Sequence, residues 1–150
     1  MLREPVLVVG SSVSAIVGLA RALSERFCVY AVGSIAGAAT TVRDVAPRVV
    51  LLRTHHRRQG AARSLVLLRQ AVGDGPELLV LTPGTDTHFE LAMHKARVYT
   101  RLHEPCPPAQ LVATVCAASA RERGPMGSAH GAAQQAAAAR PTMGLRLELR

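Results

Sequence analysis

The sequence predicts an open α/β fold in which five βα units build a doubly wound, five-stranded parallel sheet. Two observations predict it. Three short apolar runs are continuous rather than alternating, which suits strands buried on both faces. Between and after them lie segments whose apolar residues recur at three and four positions, and the two patterns alternate over about 120 residues. Right-handed crossovers then place helices on both faces of the sheet.

The elements follow in order. Val6–Val9 is the first apolar run and ends at Gly10. Val13, Ile16, Val17, Ala20 and Leu23 make the first helical stripe, with Ser11 or Ser12 placed to cap it by accepting from an orphan N–H. Cys28–Val32 is of mixed polarity and suits an edge strand. Ile35–Val45 reads as a poorer helix, broken by Gly37 and stopped by Pro47. Val49–Leu52 is the second apolar run, ending at Arg53. Leu65, Leu68 and Val72 line a third helix that ends at Gly73. Leu78–Leu81 is the third run, ending at Thr82. Phe89, Ala92, Met93 and Ala96 line a fourth helix, and Val98–Leu102 is a second edge-strand candidate. Leu111, Val112, Val115 and Cys116 line a fifth helix that starts after Pro107 and Pro108.

After Arg123 the patterned hydrophobicity stops, and Gly, Pro, Ser, Gln and the run Ala136–Ala139 take over. The reading is one domain over residues 1–123 and a flexible, low-complexity tail over 124–150. The last six residues, Leu145–Arg150, alternate and could add a strand to a sheet edge, although a frayed end is the expectation.

Composition narrows the class. The 150 residues are 49% hydrophobic and 19% charged, which excludes a wholly disordered chain. Three cysteines, Cys28, Cys106 and Cys116, are too few and odd in number for a disulfide framework, so a reducing cytoplasm is expected. Cys28 and Cys116 fall at core positions, and Cys106 falls in a loop. The net charge of +8 comes from arginine, with Lys95 the single lysine. A positive field favours phosphate-bearing or acidic partners, but there is no dense basic run and no aromatic interleaving for base stacking. Pro5–Ala20, as long as any uncharged stretch in the chain, is broken at Gly10–Ser12 and too short to span a bilayer, so neither a membrane segment nor a signal peptide is expected.

Five βα units of this length match the size of a flavodoxin-like domain. Residues 5–122 further resemble the receiver domain of bacterial response regulators. Val6–Ser12 reads VLVVGSS where that family reads roughly ILIVDDD. Pro47–Arg53 reads PRVVLLR against PDLVLLD, and Leu78–Pro83 reads LLVLTP against a strand ending in Thr-Ala. Leu102–Leu111 reads LHEPCPPAQL against LTKPFSPEEL. The resemblance implies a phosphorylation pocket at the carboxyl ends of the strands, and here that pocket is degenerate. Gly10 and Ser11 stand at the acidic pair, Arg53 at the phosphoacceptor and Glu104 at the lysine. Thr82 and Pro105 match, and Arg101 takes the place of the switch aromatic. Mg²⁺ needs hard oxygen ligands and phosphoryl transfer needs a nucleophile, and these positions supply neither carboxylate. No Asp lies between Asp44 and Asp74 to replace the acceptor. The resemblance is therefore to a pseudoreceiver, with no catalytic residue and no cofactor or metal.

The charges at positions 53 and 104 are reversed relative to the family, so an Arg53–Glu104 ion pair across the crevice is expected. The favoured function is a non-enzymatic, phosphorylation-independent interaction module in bacterial signalling. By resemblance it binds an unidentified protein, or a second copy of itself, through the fourth and fifth helices and the strand between; Phe89, Met93, Val98, Arg101, Val112 and Cys116 are the candidate positions. One alternative is a sensor that binds a nucleotide or other anion with Ser11, Ser12, Arg53, His55 and Arg57. Another is a basic nucleic-acid-associated regulator, weakened by the lack of a helix-turn-helix pattern after residue 123. Three further motifs are weak. Gly10–Gly18 lacks the full dinucleotide-binding glycine pattern, His55–His56 has no carboxylate at ligand spacing, and His88 and His94 are six apart on their helix.

Overall fold

The computed structural model describes residues 3–55 and 57–121. His56, the 124–150 tail and its alternating last six residues lie outside the described residues. The elements are β1 (Glu4–Val9), α1 (Val13–Leu23), β2 (Phe27–Val32), α2 (Ile35–Val45), β3 (Val49–Arg53), α3 (Ala61–Val72), β4 (Glu77–Thr82), α4 (Thr87–Lys95), β5 (Val98–His103) and α5 (Pro108–Ser119). The five strands form one sheet in the order β2-β1-β3-β4-β5, and every pairing is parallel. This is the flavodoxin-like α/β arrangement the sequence predicts, with the two mixed-polarity strands at the edges.

The continuous apolar runs have a direct physical reason. Successive strand side chains point to opposite faces, and here both faces are covered. Leu7, Val9, Val50, Leu52, Leu78 and Val80 pack with α2, α3 and α4 on one side. Val6, Val8, Val49, Leu51, Leu79 and Leu81 pack with α1 and α5 on the other. Most of these side chains are fully buried, each contributing about 1.5–3 kcal/mol of transfer free energy.

Two local expectations are corrected. Gly37 does not break α2. It sits in the first turn, where its N–H donates to the Ser34 side chain at 3.0 Å. A Cβ there would lie 3.3 Å from Val32 Cβ, so the missing side chain lets the helix start close against β2. Ser12 is the N-cap residue of α1, yet its side chain makes no capping bond, and the Ser11 hydroxyl is engaged elsewhere. The helix α2 ends at Val45, two residues before Pro47, with the C-cap Ala46 in the left-handed region, at φ 52°.

At the amino edge of the sheet, α3 carries a residue that the apolar stripe did not disclose. Arg69 lies beside Leu65, Leu68 and Val72 and is 7% exposed. Its Nε donates to Ala96 O at 2.7 Å, its Nη1 to Gly73 O and Pro76 O at 2.8 and 3.0 Å, and its Nη2 to Arg97 O at 3.1 Å. These carbonyls belong to the turns that end α3 and α4, where helix ends leave acceptors without partners. Burial, and then the charge of Arg97, push the Arg69 pKa down, while Asp74 and Glu77 oppose the shift. The same edge is tied by Glu4, which accepts from the Ser119 hydroxyl and lies 3.5 Å from Arg48 Nη1.

Candidate functional site

The candidate site is the carboxyl edge, where β1, β3, β4 and β5 end side by side. Backbone bonds carry the sheet's alignment into the loops. Gly10 N–H donates to Val32 O, Thr54 N–H to Leu81 O and Glu104 N–H to Thr82 O, at 3.1, 3.1 and 2.9 Å. Arg53, Thr82 and Glu104 are thereby held in neighbouring positions, and Gly10 is tied to the end of β2. Gly10 is buried, and a Cβ on it would lie 3.3 Å from Ile16 Cγ1 and 3.5 Å from Arg53 Cβ. A longer side chain at that position would therefore have to displace Ile16 or compete with Arg53.

Arg53 and Glu104 meet across the crevice. Arg53 Nε donates to Glu104 Oε2 at 2.8 Å, with side chains 32% and 23% exposed. The bond is charge-assisted and single, so the guanidinium is used along one edge only. Among the described residues, Arg53 Nη1 and Nη2 have no acceptor. Thr82 is fully buried, and its hydroxyl donates to Gly84 O at 2.9 Å within its own loop. Pro105 follows Glu104 through a cis peptide bond, and the His103 ring Nδ1 lies 2.9 Å from Glu104 O.

The β3–α3 loop closes over the same edge. Arg58 Nη1 donates to Ser11 Oγ and so joins this loop to the β1–α1 loop. Arg57 is exposed, and its backbone N–H donates to His55 Nδ1 at 3.3 Å. Of the expected anion-binding set, the structure links Ser11 to the loop, leaves Ser12 and Arg57 facing solvent, and adds Arg58. Arg58 stands outside the set that the sequence predicts. The adjacent Arg57–Arg58 pair was the available signal.

The expected partner face is redrawn. Phe89 is 1% exposed and sits in the core with Ala92 and Ala96, because positions 89, 92 and 96 share the inward stripe of α4. Met93 and Val98 are half-buried against that same cluster, and Val112 and Cys116 are half-buried against the opposite one. Arg101 is exposed. The apolar residue that α4 presents to solvent is Leu91, 58% exposed, which falls off the inward stripe and was legible there.

Cys106, in the loop after Pro105, is partly buried. Burial first, and then the Glu104 carboxylate, push its thiol pKa up. Among the described residues no helix is long and apolar enough to cross a membrane.

Several solved structures share this fold. A response regulator from Thermotoga maritima is 20% identical, covers 80% of this chain and 100% of its own, and gives a TM-score of 0.67. A CheY-like response regulator from Mesorhizobium loti is 15% identical over 77% of this chain and 98% of its own, with a TM-score of 0.65. A candidate pilus assembly-related protein from Burkholderia pseudomallei is 20% identical over 78% and 90%, with a TM-score of 0.64. The structural neighbours are thus receiver domains and proteins built like them, and at these identities the likeness is one of fold. No family model and no curated protein matches the sequence.

Proposed function

We propose that the chain is a receiver-like interaction module of bacterial signal transduction, cytoplasmic and non-enzymatic, that binds a protein partner without a phosphorylation switch. The observation that supports this most is the Arg53–Glu104 pair. In a receiver the chemistry is attack of a carboxylate oxygen on phosphorus beside Mg²⁺. A guanidinium cannot attack, and Gly10 and Ser11 bring no carboxylate for the metal. The pair instead ties the ends of β3 and β5 together by charge, and Thr82 is satisfied within its own loop. A domain held in this way favours one conformation, and its use is recognition. The face around α4, β5 and α5 offers Leu91, Arg101 and the half-buried Met93, Val98 and Val112 to a partner or to a second copy.

The test is affinity capture from the organism that encodes the chain. It uses the intact chain and a version ending at Arg123, each with and without nuclease and with and without acetyl phosphate and Mg²⁺. A stoichiometric protein partner retained under all conditions is the expected result. Capture that vanishes with nuclease, or an acid-stable or acyl phosphate formed in stoichiometric yield, overturns the proposal.

A further inference from the structure

The carboxyl edge sets three arginines against three carboxylates, and one of the three carboxylates, Glu104, is spent on an arginine. Glu104 is engaged by Arg53. Asp86 accepts from Phe89 N–H at 2.8 Å, and Glu90 accepts from the Thr85 hydroxyl at 2.7 Å. Against these stand Arg53, Arg57 and Arg58, with His55 and His103 beside them. Glu104 takes only the Nε edge of Arg53, so both terminal nitrogens are left without an acceptor among the described residues. Arg58 is drawn from its loop onto Ser11, directly beside Gly10, whose missing side chain leaves Arg53 Cβ as a near neighbour. Arg53 and Arg58 thus flank the Gly10–Ser11 turn, one through its Cβ beside Gly10 and the other through its bond to Ser11.

We propose that this crevice binds a small phosphate-bearing anion without a metal ion, held by the free Nη edge of Arg53 and by Arg58, with Ser11 as a further donor. Guanidinium forks suit phosphate oxygens, because two parallel N–H groups match two acceptors. Glu104 has two effects. It fixes the Arg53 side chain through Nε, and its negative charge limits the affinity for a second anion. The inference does not rest on the interaction-module reading, since a partner and a small anion use different surfaces.

The experiment is titration of the intact chain with pyrophosphate at constant ionic strength, read by calorimetry and by backbone amide shifts. Saturable binding is expected, with shifts at residues 10–12, 53–58 and 104. Arg58→Ala is expected to weaken binding about fivefold and Arg53→Gln about tenfold or more, each losing charge-assisted bonds. Glu104→Gln is expected to tighten it about threefold, because a competing anion is removed. Arg43→Ala, an exposed arginine at the end of α2, is the control for net charge. Non-saturating binding, or equal weakening by Arg43→Ala and Arg58→Ala, overturns the proposal, as does binding seen only with a single-stranded oligonucleotide. Arg58 is exposed, so an unchanged circular dichroism spectrum keeps that variant interpretable if Arg53→Gln fails to fold. Partner capture is measured on the same Arg58→Ala protein, so failure of the two readings can be told apart.

Discussion

Arg69 at the amino edge is 7% exposed and gives four bonds to backbone carbonyls, whereas Arg53 at the carboxyl edge keeps 32% of its side chain in solvent and gives one bond to a carboxylate. The partners differ in kind. Backbone carbonyls at helix ends cannot move away, so a cation buried among them is locked in place. A carboxylate on a flexible side chain can be exchanged for another anion or for water. One arginine is committed to architecture, and the other leaves donors for recognition. The difference teaches that the number and type of acceptors around an arginine say more about its role than its charge does.

The largest expected effect sharpens this contrast. Arg69→Met is expected to lose about 3–5 kcal/mol of stability, because several carbonyls lose a donor at once. Urea unfolding measures it, and a loss under 1 kcal/mol would break the comparison. Arg53→Gln and Glu104→Gln are each expected to cost about 1–2 kcal/mol, between the values for exposed and buried pairs. A double-mutant cycle should return most of that as coupling.

Ala46→Gly is expected to gain about 1 kcal/mol, since a left-handed residue with a side chain is replaced by one without. The Asp74–Arg97 pair lies beside Arg69 yet is more than half exposed on both sides, so Asp74→Asn should change stability by less than about 1 kcal/mol. A larger loss would mean that Asp74 supports Arg69 by charge.

The smallest effect concerns Cys106. Its thiol pKa is raised on folding, so the thiol form is favoured and the associated stabilisation is present below the unfolded value. It is lost as pH rises through the folded value, in the alkaline range. Alkylation of Cys106, followed by peptide mapping at pH 8, is expected to be slower than that of an unfolded reference thiol. Glu104→Gln should speed it modestly by lowering the thiol pKa.

The fold was legible because its signals are local and repeated. Val6–Val9, Val49–Leu52 and Leu78–Leu81 could not be half-exposed strands, and the polar edges of Cys28–Val32 and Val98–Leu102 placed them outermost. The charge reversal at Arg53 and Glu104 gave the contact between them, because two strand ends in this fold face one crevice. Arg69 was missed since an arginine on an apolar stripe is read as its outer margin. Only the turns around Ala96 and Gly73, fixed in three dimensions, supply the acceptors that let it enter. The spacing of Phe89 with Ala92 and Ala96 already indicated the core, and its assignment to a partner face came from the resemblance instead.

Arg69 also bears on the order of folding. Its bonds to Ala96 and Arg97 close loops of 27 and 28 residues and span α3, β4 and α4. These are contacts of moderate sequence separation within adjacent βα units, cheaper in loop entropy than pairing the chain's two ends. The half from β3 to β5 therefore has the makings of one cooperative unit under native-state hydrogen exchange, with β2 and α2 opening first. An early-forming frame around Arg69 would leave the carboxyl edge free to differ in sequence without hindering the assembly of the sheet.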